Sequence, residues 1–217
     1  MDEPIDMHPN PRIDVHWLSF GEDAGWREAC MASLAGAPIR LHRMPGIAGR
    51  LGQARAAGFA QGGLPLVAWI DPDDLYEASA FAQLADALDA CPQAVLAYAD
   101  EALIDEAGRP LGLRRLAYSA FLHAHSARHV HGLVVMRRSA VTPCLQRLRG
   151  LGIEAEWVLT RLLARQGRIL HLPIISRHWR QHPGQYHRRQ RIDAPPSALG
   201  PLSPTHPPTH PPIDKED

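Results

Sequence analysis

Between Leu64 and Glu77 the chain reads LPLVAWIDPDDLYE, seven residues without a charge followed by aspartates at 71, 73 and 74. Crowded carboxylates repel one another and lose hydration when buried, so three of them directly after an apolar strand call for a cation among them. The simpler account is a helix N-terminus, where Asp73 or Asp74 accepts backbone N–H bonds and faces the positive end of the dipole. A second cluster has the opposite sign. RHWRQHPGQYHRRQR, from Arg177 to Arg191, carries five arginines, three histidines and no acid. Arg180 has the fork geometry for phosphate, and a neutral ring nitrogen of His182 suits a metal shell. For Arg188, Arg189 and Arg191 a solvated basic run is the simpler account.

The elements that must position these residues follow from hydrophobic period. RIDVHWLSF (Arg12 to Phe20) has the β-branched and aromatic bias of a strand, WREACMASLAG (Trp26 to Gly36) reads as a helix ended by glycine, and PIRLHRM (Pro38 to Met44) as a second strand. Leu51, Ala54, Gly58 and Phe59 recur at helical spacing between Ala48 and Gln61, and Gly62-Gly63 stops that helix. Leu66 to Ile70 is apolar on both faces, as a central parallel strand is. Phe81, Leu84, Ala85 and Leu88 form one helical stripe closed by Cys91-Pro92, and AVLAYA (Ala94 to Ala99) is the next strand. Further on come a strand within His129 to Val141, an amphipathic helix from Ala155 to Gly167 and a strand from Arg168 to Ile175. This alternation predicts an α/β fold with right-handed crossovers and helices on both faces of the sheet. In such sheets ligands bind beyond the carboxyl ends of the strands, where Asp71, Asp73 and Asp74 fall.

Composition bounds the function. The 217 residues are 45% hydrophobic with formal net charge zero, which suits one medium globular domain and does not point to nucleic acid. Three cysteines at wide spacings make no metal or redox pair, and a reducing cytoplasm is the simplest compartment. The acidic start MDEPIDMHPNPR is unlike a signal peptide, and no apolar run approaches a transmembrane segment. We expect residues 1–11 to be an extension, 12–192 the domain, and 193–217, proline-dense with the near-repeat THPPTHPP, an extended tail.

The stretch VAWIDPDDLYEASAFAQLADALDACPQAVLAYADEALIDEAGRP resembles the central segment of family 2 glycosyltransferases, and RLLARQGRILHLPIISRHWRQHPG resembles their closing segment with its HWR-x-HPG signature. The resemblance spans roughly Arg50 to Gly184. It implies a GT-A-like, mixed but mainly parallel sheet flanked by helices, and transfer of a sugar from a nucleotide-sugar donor to a carbohydrate or other hydroxyl acceptor, with inversion. It also implies Mn2+ or Mg2+, since a divalent ion with hard oxygen ligands stabilises a departing diphosphate. By resemblance Asp71 faces the nucleotide side of the donor, with Arg180 and Arg50 as further donor contacts. Asp73 holds the metal, with Asp74 and His182 as candidate partners. His131 and Asp100 fall where the family approaches its acceptor.

Two positions depart from the family pattern. The usual further strand and helix before the segment beginning at Pro38, which carries an aspartate contacting the base, is missing. An inverting transferase also needs a carboxylate base, and counting back six residues from Arg161 lands on Ala155. Glu154 and Glu156 flank it; either is a candidate base, Glu156 preferred because it lies within the helix, and both equally suit a helix N-terminus electrostatically. The His-x-His pairs at 123 and 125 and at 129 and 131 suggest zinc, yet no cysteine or carboxylate joins them at a recognised spacing. Two other functions stay open: a catalytically impaired nucleotide- or carbohydrate-binding module, and a nucleotide-diphosphate hydrolase that uses water as acceptor.

Overall fold

The computed structural model describes residues 3–127 and 129–185. The tail 193–217 and the arginines at 188, 189 and 191 lie outside them. In chain order the elements are β1 (Ile5–Asp6), β2 (Ile13–Ser19), α1 (Ala24–Ser33), β3 (Ile39–Pro45), α2 (Leu51–Phe59), β4 (Leu66–Ile70), β5 (Leu75–Tyr76), α3 (Ala78–Ala90), β6 (Ala94–Ile104), β7 (Pro110–Arg114) and α4 (Ala120–His125). Then follow β8 (Val134–Arg137), the short α5 (Arg138–Val141) and α6 (Leu145–Leu148), α7 (Ala155–Leu163) and β9 (Arg168–Arg180).

One sheet runs β1-β3-β2-β4-β8-β6-β9-β5, with β7 paired to β6. β2 is parallel to β3 and β4, and β6 is parallel to β9, while β8 lies antiparallel between β4 and β6. β2, β3, β4, β6 and β9 therefore all point the same way. The strand alternation sorts side chains into two cores. On β4, Leu66, Ala68 and Ile70 join Cys30, Leu34, Phe81, Leu84 and Leu88 under α1 and α3. Val67 and Trp69 face the other way, against Phe59, Leu148, Leu159 and Leu163 from α2, α6 and α7. Each such large apolar side chain contributes about 1.5–3 kcal/mol when fully buried.

The layer over β2 is tight. A Cβ on Gly58 would sit 2.4 Å from the ring of His16, so glycine lets α2 approach β2. α1 leads directly into β3, and among the described residues the outer edge of β3 meets β1, antiparallel against Arg40 and Leu41, with Met7 N–H donating to the Ile39 carbonyl.

Three strands differ from expectation. The strand sought between His129 and Val141 is only Val134–Arg137, because Arg138 turns back to donate to the carbonyls of Phe59, Gln61 and Leu64 and to Asp14, and a helix begins there. β6 runs on to Ile104 and β9 to Arg180, beyond their apolar segments, with register shifts around Asp100. Their polar extensions stay in the sheet because charged partners meet across it. The four histidines form no metal-binding group among the described residues: His123 is buried in α4 against Thr160 Oγ1 at 2.9 Å with the His129 ring 6.5 Å away, while His125 Nδ1 lies 2.7 Å from the Phe121 carbonyl.

Burial sets an acid limit on the fold. It pushes His123 down to about 4, helped by His129 and Arg161, and pushes His16 well below 6.5, helped by Arg55 and His42. Unfolding lets each ring take up a proton, so their contribution is fully present above about pH 6.5 and is lost as pH falls towards the folded value. The slope is about 1.4 kcal/mol per pH unit per histidine. Urea midpoints between pH 6.5 and 4.5 should fall less steeply in His123→Gln than in wild type; parallel curves would show that His123 is not the linked group.

Candidate functional site

The loop after β4 is pinned before its carboxylates are placed. Asp71 N–H donates to Tyr76 Oη at 2.9 Å, Tyr76 N–H donates to Ser33 Oγ at 3.1 Å, and Asp74 N–H closes a turn on the Asp71 carbonyl at 3.3 Å. Each aspartate then meets a different environment. Asp71 accepts from Arg55 Nη2 at 2.8 Å and from Arg177 Nη2 at 3.1 Å. Asp73 Oδ2 lies 2.9 Å from His182 Nε2. Asp74 accepts from Arg177 Nε and from the Arg180 backbone N–H, both at 2.7 Å, and its side chain is fully buried.

These partners separate the three carboxylates. Burial alone would raise Asp71, but Arg55 and Arg177 hold it below the usual carboxylate value. Burial pushes Asp74 well up against the pull of Arg177, with Asp73 and Asp71 adding to the rise. Asp74 thus differs from its expected place in a metal shell: both of its oxygens are spent on the protein, and its environment disfavours the charge a metal needs. Arg180 departs from expectation in the same way. Its Nε donates to the Asp73 carbonyl at 2.8 Å and its Nη1 to the Glu106 carbonyl at 2.9 Å, and its guanidinium lies over the Trp26 ring at 5.2 Å. It locks the aspartate loop to the β6–β7 turn. Arg50 does not reach the aspartates; it is exposed at the start of α2, 3.5 Å from Gln53.

The arginine that does reach is Arg55, one helical turn and a half further along α2 and only 3% exposed. Its Nε and Nη2 lie 2.7 and 2.6 Å from Glu156 Oε1, and the same Nη2 bonds Asp71. Glu156 is therefore brought to the aspartates from α7. Glu154 is not: its carboxylate accepts from the Gly152 N–H at 3.2 Å in its own turn, and Ala155 between them is fully buried.

A separate small cleft is lined by Tyr98, Asp100, Glu101, Arg114, His129 and His131 among others. Asp100 is taken up by His171 Nε2 at 2.7 Å. Glu101, 2% exposed, accepts from His131 Nδ1 at 3.2 Å to each oxygen and pairs with Arg114 at 2.7 Å. Arg55 and Glu101 were not singled out in the sequence, and Arg177 was only counted in the basic cluster. The available signal was a lone charge in the otherwise small and apolar α2, and an acid adjacent to Asp100 in a strand.

The described residues contain no group of three or more histidine, cysteine or acidic side chains able to enclose a metal. Asp73 and His182 face each other as a hydrogen-bonded pair that a cation would have to part.

Solved structures share this architecture. TarS residues 1–349 of S. aureus in complex with UDP-GlcNAc superposes with TM-score 0.62 at 11% identity, covering 82% of this chain and 61% of that one. The same protein in complex with UDP gives TM-score 0.59 at 12% identity, covering 79% and 61%. The fold is that of the GT-A glycosyltransferases. This chain spans about three-fifths of those structures' length. No protein-family model and no curated protein sequence matches it. Among the described residues no helix is long and apolar enough to cross a membrane.

The buried pair carries stability. Asp74→Ala leaves Arg177 without its closest counter-charge and should cost about 3–5 kcal/mol in denaturant unfolding, whereas the part-exposed Asp73→Asn should cost less than about 1 kcal/mol. Equal losses would refute this division between a structural and an available aspartate.

Proposed function

We propose that the chain is a metal-dependent, inverting glycosyltransferase that moves a sugar from a nucleotide-sugar donor to a hydroxyl acceptor, and that it is a compact relative of family 2. The observation that carries this reading is the end of β4, where Asp71 and Asp73 are fixed on a rigid loop in a fold shared with a protein solved with UDP-GlcNAc. Asp71 faces the nucleotide side. Asp73 and His182 hold Mn2+ or Mg2+, which when bound neutralises charge on the departing diphosphate. Arg55 replaces Arg50 and Arg180 as the donor-side guanidinium: its Nη1 is buried and has no partner among the described residues.

Glu156 changes role in this reading. A carboxylate oxygen that accepts two N–H groups of one guanidinium would lose that pair on taking a proton, so Glu156 serves as the counter-charge that keeps Arg55 beside Asp71. Glu154 stays with its own turn. The free thiols Cys30, Cys91 and Cys144 suit a reducing compartment, and we place the activity in the cytoplasm.

A binding module without catalysis is the second reading, favoured by the buried Ala155 at the position that the resemblance assigns to the base. Calorimetry with UDP and MnCl2 tests what both share. Asp73→Asn should weaken UDP at least tenfold in manganese while leaving the metal-free affinity unchanged; equal affinities in manganese would remove Asp73 from the site. Release of UDP from UDP-sugars by wild type then separates the enzyme from the module.

A further inference from the structure

The acceptor hydroxyl must give up its proton, and Glu156 is committed to Arg55 while Glu154 is turned into its own loop. The cleft offers another group. His131 Nδ1 lies 3.2 Å from both oxygens of Glu101, which is 2% exposed, while the His131 side chain is 27% exposed. Burial opposes the charge on Glu101, yet His131, Arg177 and Arg114 hold it down to about 2, so the carboxylate stays ionised through neutral pH. An ionised carboxylate only accepts hydrogen bonds, so Nδ1 carries the proton, and in the neutral ring the lone pair belongs to Nε2. Nε2 makes no hydrogen bond among the described residues, and the ring rests 5.0 Å from Trp179.

The backbone is arranged around this pair. Gly132 follows at φ +80, and a Cβ there would fall 3.0 Å from the Ala99 carbonyl and 3.5 Å from Glu101 Oε2. Glycine is what lets the loop close His131 onto β6. The charge of His131 also reaches Asp71.

We infer that His131, oriented by Glu101, is the general base of the transfer. The inference rests on the glycosyl-transfer reading above. In the step, the acceptor O–H bond breaks and its proton passes to His131 Nε2. The acceptor oxygen bonds to the anomeric carbon of the sugar, and the bond from that carbon to the diphosphate oxygen breaks, its electron pair leaving with the diphosphate. Glu101 remains ionised and balances the imidazolium that forms. His131 is the catalytic residue; Glu101 is a positioning residue. The charged groups that bear on the ring are Glu101 from β6, Arg114 from β7, Arg177 from β9 and Asp71 after β4.

The test uses the full chain and measures UDP release from a panel of UDP-sugars, with sugar acceptors and with water alone, beside UDP affinity in MnCl2. His131→Gln should lower kcat by about 100- to 10,000-fold, the range for loss of a general base, with UDP affinity unchanged. The acid limb of the kcat/KM against pH profile should vanish with it. Glu101→Gln should lower kcat less and displace that limb; because Glu101 is buried this variant is read only if its unfolding midpoint is retained, and His131→Gln stands without it. A His131→Gln variant as fast as wild type overturns the assignment and leaves the transferase reading intact. Wild type that binds UDP but releases none from any UDP-sugar also overturns the assignment and favours the binding module. Wild type that fails to bind UDP in manganese overturns the transferase reading and this inference together.

Discussion

Negative charge at the carboxyl end of β4 is tolerable only because two buried guanidiniums reach it from separate elements. Two unit charges 4 Å apart interact by about 4 kcal/mol at an effective dielectric near 20, so three aspartates within four positions would splay the loop without compensation. Arg55 comes from α2 and Arg177 from β9, and they share Asp71 between them. That sharing ties the first half of the sheet to its last strand. It also explains why β9 continues past its apolar segment: Arg177 and Arg180 are needed beside the loop, and Asp74 accepts from both.

The same pairs separate the aspartates chemically. Asp74 is buried and spent on structure, Asp71 is held in its charged form, and Asp73 has His182 as its side-chain partner among the described residues. Rigidity extends to β6, which pairs with β7, β8 and β9 and carries Asp100 and Glu101 into the small cleft. Fixed charges on packed strands need little reorganisation when a reaction moves charge, which is the condition for electrostatic catalysis.

Among the described residues the edge of the sheet beyond β3 is β1, two residues long. In the core under α1 and α3, Ile13, Ile39 and Leu41 are covered from α1 and the sheet.

Much of this was determined by the sequence itself. Hydrophobic period and glycine stops located β2, β3, β4, α2 and α3, because those elements form wherever a face of the right spacing has something to bury against. The uncharged run ending in Asp71, Asp73 and Asp74 marked the site, since that contrast costs free energy anywhere else. What the sequence did not decide is which charge pairs with which. Arg50 and Arg55 are both arginines near one helix start, and only the direction of α2 over β2, set by the contact of Gly58 with His16, turns Arg55 inward and leaves Arg50 in water. Glu154 and Glu156 differ in the same way, one folded into its own turn and the other reaching Arg55. The pairing of His131 with Glu101 joins residues 30 positions apart and depends on a loop that closes at Gly132. Local propensity acts over a few residues, whereas a buried ion pair depends on distances fixed by the whole sheet, so the elements are legible in the chain and their charge partners only in the fold.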